Sequence, residues 1–200
     1  MPRSREVFEA MRQTTRQKIE VSALSLFARR GLSVKVGEIA EAAGVSQGLL
    51  YSHYASKDAL IAELIRQATT ISGKTVLDFA EGGDGAAEKI QGITDMMCRM
   101  FTEAPIGIDY FMFMAQVGMS GLKLPEASLY SPEAPNPAES LAQVIAQGQA
   151  EGTVVCGDPM QLSIVYWAAI QGLCAYAITG MPILPEPEIL SRIVLKEGCI

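Results

Sequence analysis

Histidine and tryptophan are nearly absent: the 200-residue chain holds one of each, His53 and Trp167. A single histidine leaves no multi-histidine metal centre. The four cysteines, Cys98, Cys156, Cys174 and Cys199, show neither a CxxC pair nor another metal-ligand spacing. There is no Gly-rich phosphate loop, and no nucleophile stands in a pattern with a base, so the parts of an enzyme are missing and no metal or cofactor is implied. Continuous apolar runs such as Ile164–Ile170 fall short of the roughly 20 residues of a membrane span. The charged stretch Met1–Arg16 has no apolar core of the kind a secretory signal needs. The expectation is a cytoplasmic chain with reduced thiols and no membrane partner. Aromatic residues are also scarce, at 6%, while the hydrophobic fraction is 49%, which excludes a disordered acidic chain and leans towards helix.

The charge that is present is unevenly placed. Residues 1–57 carry nine Lys or Arg against five Glu, a balance of +4, whereas residues 58–200 sum to −10. A basic N-terminal unit on an acidic body suits a first domain that meets a polyanion and a second that does not. Periodicity fills in both parts. Arg16–Arg30 reads as an amphipathic helix stopped by Gly31, with Arg3, Arg5 and Arg12 before it on an arm or a disordered tail. Val36–Ala43 is a short helix closed by Gly44, Ser46 caps a second over Gln47–His53, and Ser56 caps a third running to about Thr70. Longer helices follow over Ala86–Thr102, Ile106–Met119, Ala138–Glu151 and Asp158–Thr179, with a last one over Glu188–Lys196 and a proline-rich connector over Ser120–Pro137. Thr153–Val155 is too short to count as a strand. The fold class is all-α, divided into residues 1–57 and 58–200.

The stretch Gly37–Tyr51 has the mechanics of a helix-turn-helix. Ala40 is small where two helices cross, Gly44 permits the turn, Val45 plugs its angle, and Ile39 and Leu50 fill the core from opposite helices. The second helix then presents Gln47, Gly48 and Leu49 at its N-terminal end, where base edges are read. Leu49 suits a thymine methyl, and Gln47 a base or a phosphate. Lys57, at a helix start, suits a phosphate or is a solvated surface lysine, and Lys35 can add a charge. His53 donates to DNA or packs and caps. An ordinary pair of short core helices would also need Ala and Gly at a close crossing.

The flanking residues decide for DNA. Ile19, Ala23, Phe27 and Gly31, then Glu38-Ile39-Ala40, Ala43-Gly44-Val45-Ser46, Gly48-Leu49-Leu50-Tyr51, His53-Tyr54, Ser56-Lys57-Asp58 and Leu60 closely resemble the N-terminal domain of TetR-type (tetracycline-repressor-like) regulators. The resemblance covers residues 14–65. It implies a three-helix DNA-binding domain joined to a larger C-terminal helical domain that binds an effector and dimerises. It also implies a prokaryotic repressor released from a palindromic operator, with Lys35, Ser46, Gln47, Gly48, Leu49, Tyr51, His53 and Lys57 at the DNA and Tyr51 on its backbone. Val34 and Lys35 stand where hydroxyls commonly cap the next helix, which leaves that cap to be found. A non-specific architectural DNA binder is the alternative, disfavoured by the −10 body, and a redox sensor through Cys98 is another.

In the body, Met96, Met97, Met100, Phe101, Tyr110, Phe111 and Met114, with Trp167 from a later helix, form either a plain core or the lining of a plastic apolar pocket for a small apolar or aromatic effector. The helix Asp158–Thr179 is apolar on more than one face. Its stripe Leu162, Val165, Ala169, Gly172, Leu173 and Tyr176 is the expected homodimer interface, with Ala138–Glu151 beside it; a helix buried within its own subunit is the other reading.

Overall fold

The computed structural model of the chain describes residues 3–82, 85–103, 105–122, 135–180 and 185–197. Among these, helix follows helix: α1 (Arg3–Arg30), α2 (Val36–Ala42), α3 (Gln47–His53), α4 (Lys57–Glu81), α5 (Ala86–Glu103), α6 (Pro105–Met119), α7 (Pro137–Glu151), α8 (Pro159–Ile178) and α9 (Pro187–Ser191). Most of the proline-rich connector, and Cys199, lie outside the described residues.

Side-chain caps set most of the helix starts. Ser46 Oγ accepts from Leu49 N–H at 3.1 Å, Ser56 Oγ from Ala59 N–H at 3.1 Å, and Asp158 Oδ1 from Gln161 N–H at 2.9 Å. Pro159 follows Asp158 at N1, where a missing N–H costs nothing. Gly44, at φ +66°, makes the turn between α2 and α3, a conformation other residues adopt at a cost. Lys35 has no capping oxygen, so α2 starts differently. Glu38 reaches back to accept from Lys35 N–H at 2.9 Å and takes a 2.5 Å bond from Arg30, and both hold its carboxyl below the usual range.

Two cores result. The first unites Ile19, Leu24 and Phe27 of α1, Ile39 of α2, Leu50 of α3 and Leu60, Leu64 and Ile65 of α4 with Phe113 and Val117 of α6. The second gathers Ile90, Ile93 and Met97 of α5, Leu141 and Ile145 of α7, and Tyr166, Ile170 and Cys174 of α8. Helix α4 belongs to both, contributing Val76 to the second, and it runs on to Glu81 rather than ending near Thr70.

Three further expectations change. The N-terminal arm is helix from Arg3, not a tail. No Gly or Pro interrupts residues 3–16, and Thr14 and Thr15 return their hydroxyls to the carbonyls of Ala10 and Met11, so α1 propagates outward from its packed half. The last helix stops at Ser191. The β-branched residues beyond it pair instead with the segment after α7: Val155 N–H bonds Val194 O at 2.9 Å, Lys196 N–H bonds Thr153 O at 3.0 Å, and Val154 bridges Leu195. Helix α8, at 20 residues and mean hydropathy 1.3, is long and apolar enough to cross a membrane, beyond what the short apolar runs suggested. It packs against α6 and α7, with Ser163 Oγ tied to Ala138 O at 2.8 Å.

Candidate nucleic-acid interface and effector region

Helix α3 projects from the first core on one buried anchor, Leu50, leaving Gln47, Gly48, Leu49, Tyr51 and Ser52 exposed. Leu49 is 43% exposed and Tyr51 49%, an unfavourable place for large apolar surface unless something covers it. Four of the eight expected DNA residues, Lys35, Gln47, Tyr51 and Lys57, come together around one groove of about 450 Å³, with Ser33, Val34, Val36 and Gly37 completing its walls. Basic, aromatic and amide groups around an open groove can bind a phosphate diester.

The geometry refines several roles. Lys57 is neither a free phosphate ligand nor a loose surface group. Its ammonium donates to Leu32 O at 2.8 Å and Val34 O at 3.4 Å, tying the α1–α2 turn to the start of α4. The charge therefore stands fixed at the groove wall. Gln47 lies against the first turn of α2: a Cβ added at Gly37 would sit 2.8 Å from its Nε2. Glycine at position 37 is what lets the amide fold back into the groove, and it leaves Gly48 and Leu49 foremost on the helix. The Ser46 hydroxyl is occupied as the cap of α3.

His53 lies apart from the groove, at the other end of α3. Burial pushes its pKa below the ordinary histidine value, with the positive charges of Arg12 and Arg16 next and Glu20 opposing them. Beside it Tyr54, the C-cap of α3, donates to Glu20 Oε1, and Arg16 Nε bonds both Glu20 Oε1, at 2.8 Å, and the Tyr54 hydroxyl, at 3.1 Å. The motif reading did not single out this cluster. The signal for it was a phenol at position 54 in register with Arg16 and Glu20, a single helical turn apart.

The eight expected effector residues do not form one set. Met96, Met97, Met100, Phe101, Phe111 and Trp167 lie in or against the second core, whereas Tyr110 and Met114 pack on the first. Phe111 stacks on Trp167 at 6.1 Å between ring centres, and Tyr166 meets Trp167 edge-on at 5.5 Å. Met100 is pressed against Gly107, whose missing Cβ would fall 2.4 Å from the sulfur, so α5 and α6 touch there. Among the described residues, Trp167 Nε1 and, on α5, Gln91 Oε1 are buried side-chain atoms without a hydrogen-bond partner. The Cys98 thiol is pushed up by burial and by the acidic Asp95, Glu186 and Glu188, the reverse of what a reactive thiolate needs. On α8, Leu162, Ala169 and Leu173 of the expected interface lean into the second core, while Val165, Gly172 and Tyr176 are exposed beside Ile164, Ala168 and Ala175.

Residues 19–64 match the family described as bacterial regulatory proteins, tetR family. The HTH-type transcriptional regulator AcrR of Shigella flexneri is 40% identical over 68 residues, 34% of this chain and 32% of AcrR. The HTH-type transcriptional repressor KstR2 of Mycobacterium tuberculosis is 35% identical over 72 residues, 36% of each chain. The chain thus spans about a third of the length of the curated relatives it matches. Over the whole fold, a TetR family transcription regulator from Marinobacter aquaeolei VT8 superposes with a TM-score of 0.71, at 19% identity, covering 94% of this chain and 100% of that one.

The lowered His53 pKa gives a pH prediction. A histidine whose folded pKa lies below its unfolded value binds protons more readily in the unfolded chain, so its contribution is complete above the unfolded pKa near 6.5 and is lost as pH falls towards the folded value. Urea unfolding at pH 7.5 and pH 5.5 should show a smaller acid loss of stability in His53→Gln than in the parent. An equal loss in both proteins would contradict the shift.

Proposed function

We propose that this chain is a TetR-family regulator, on the match of residues 19–64 and the likeness of its fold, and that it is a sequence-specific repressor, active as a homodimer on a palindromic operator and released by a small effector. The carrying observation is α3: held by Leu50 and capped at both ends, it offers Gly48, Leu49 and Tyr51 to solvent beside a groove walled by Lys35 and Lys57. Leu49 reads a base by apolar contact, Lys35 and Tyr51 hold the backbone, and the charge of Lys57, fixed at the groove wall, attracts a phosphate. The charge of −10 on residues 58–200 supports a docked reader over a wrapped architectural complex.

The dimer reading rests on α8. Ile164, Val165 and Tyr176 are each more than half exposed, and Ala168, Gly172 and Ala175 between them let a second helix approach closely. Two readers related by a two-fold axis then meet successive major grooves about 34 Å apart. The effector reading rests on the second core. Methionine and aromatic side chains adapt to an apolar body, and the unpartnered Trp167 Nε1 suits a neutral ligand with a carbonyl or hydroxyl oxygen.

Selection of bound duplexes from a random pool should return a two-fold symmetric site. On that site Lys57→Ala should weaken binding about equally across sequences and lower the salt slope by about one, while Leu49→Ala should change which bases are preferred. Failure to enrich any site would reject the repressor reading, and enrichment without symmetry would reject the dimer. Separately, Gly172→Arg should give a folded monomer in sedimentation, because a Cβ at Gly172 meets nothing within 4 Å inside the subunit. An intact dimer would exclude this face of α8.

A further inference from the structure

Helix α6 is bonded to the N-terminal unit through two consecutive residues that reach different helices. Asp109, 8% exposed, takes a 2.6 Å ion-paired bond from Arg29 of α1. Tyr110 donates its hydroxyl to Gln67 Oε1 of α4 at 2.9 Å. From Gln67 the contacts continue without a gap. Gln67 Nε2 donates to Glu63 Oε1 at 3.0 Å, and the same oxygen pairs with Arg16 Nη2 at 3.1 Å. Arg16 then bonds Glu20 and the hydroxyl of Tyr54, and its guanidinium lies 5.5 Å from the centre of the Tyr54 ring. Tyr54 is the C-cap of α3, with its N–H on Leu50 O at 3.0 Å.

The chain of bonds is half-buried along most of its length. Glu20 and Glu63 side chains are 12% and 18% exposed, and Tyr54 is 5% exposed. Burial and the carboxylate of Glu20 raise the Tyr54 hydroxyl, so it remains a donor throughout the working pH range. Glu63 is also held by Arg66, at 2.7 and 3.0 Å, so it stays paired while it links Gln67 to Arg16, and a partly buried network connected in this way has few alternative arrangements. Displacement of Tyr110 is therefore passed to Gln67 and Glu63, and from Glu63 to Arg66 or to Arg16 and Tyr54.

We propose that Tyr110 is a positioning residue for the DNA-reading helix: through Gln67, Glu63 and Arg16 it fixes the C-terminal end of α3. The proposal rests on the reading of α3 as the element that meets DNA. It names the atoms by which the acidic body sets the reader's angle, and it makes Tyr110 a control point rather than a pocket wall.

The test uses the free, full-length protein and hydrogen exchange resolved by segment. Tyr110→Phe keeps the ring and removes only the hydroxyl link, and Gln67→Leu removes the next one. Each should speed amide exchange at residues 51–54 by roughly two- to tenfold, the scale of one lost hydrogen bond, while α7 stays unchanged. The double variant should add nothing further, since both changes cut one path. On a selected duplex, the two single variants and the double should shift Kd by a common factor. Unchanged exchange at residues 51–54, an equal rise across α7, or additive effects would overturn the proposal. A localised, non-additive rise in a protein that selects no DNA site would support the coupling and reject only the DNA reading.

Discussion

The packing of Phe113 against Phe27 is the contact on which the rest of the structure depends. Both rings are fully buried, with centres 6.0 Å apart, and they join α6 of the body to α1 of the N-terminal unit. A helix-turn-helix of two seven-residue helices has too little apolar surface to hold itself. Here α1 and α4 supply most of its core, and α6 closes the remaining side with Phe113 and Val117. The N-terminal unit is thus completed by a helix far from it in sequence. Its orientation cannot be independent of the body.

The polar contacts repeat this arrangement. Arg29–Asp109 and Tyr110–Gln67 lie at the rim of the same apolar seam, where water would otherwise enter. On the far side of the unit, Lys57 and the Glu38–Arg30 pair hold the α1–α2 turn, and that turn forms part of the groove wall. Exposed ion pairs contribute little stability singly. Their effect is to choose one geometry among several that the apolar core alone would allow.

Much of this was legible in the sequence. Ser46, Ser56 and Asp158 carry oxygens that accept from the free N–H groups of a helix N-terminus, and Gly44 marks the turn, so α3, α4 and α8 begin where these residues favour. The N-terminal domain could be identified because its glycine, alanine and capping positions are tied to backbone geometry. What stayed hidden was assignment between cores. Periodicity says that α6 has apolar faces, but not that Phe113 serves the first core while Ile108 serves the second. For the same reason the methionine-rich set read as one lining, although Tyr110 and Met114 face away from Met97. The stripe on α8 divides in the same way, with Leu162, Ala169 and Leu173 against the second core and Val165, Gly172 and Tyr176 exposed, because a helix apolar all round does not announce which side its own subunit covers. The folding of Gln47 onto Gly37 depends on a gap left by a missing Cβ, which no single position reveals.

The N-terminal unit and the body form one cooperative unit through Phe113. Phe113→Ala removes a fully buried ring, a change that costs about 3–5 kcal/mol in a core of this kind. Segment-resolved hydrogen exchange across a urea series would measure where that loss falls. The account predicts that protection drops together, and by the same free energy, in α1, α3, the first half of α4 and α6. A loss confined to α5 and α6, with α1 and α3 as protected as in the parent, would contradict it.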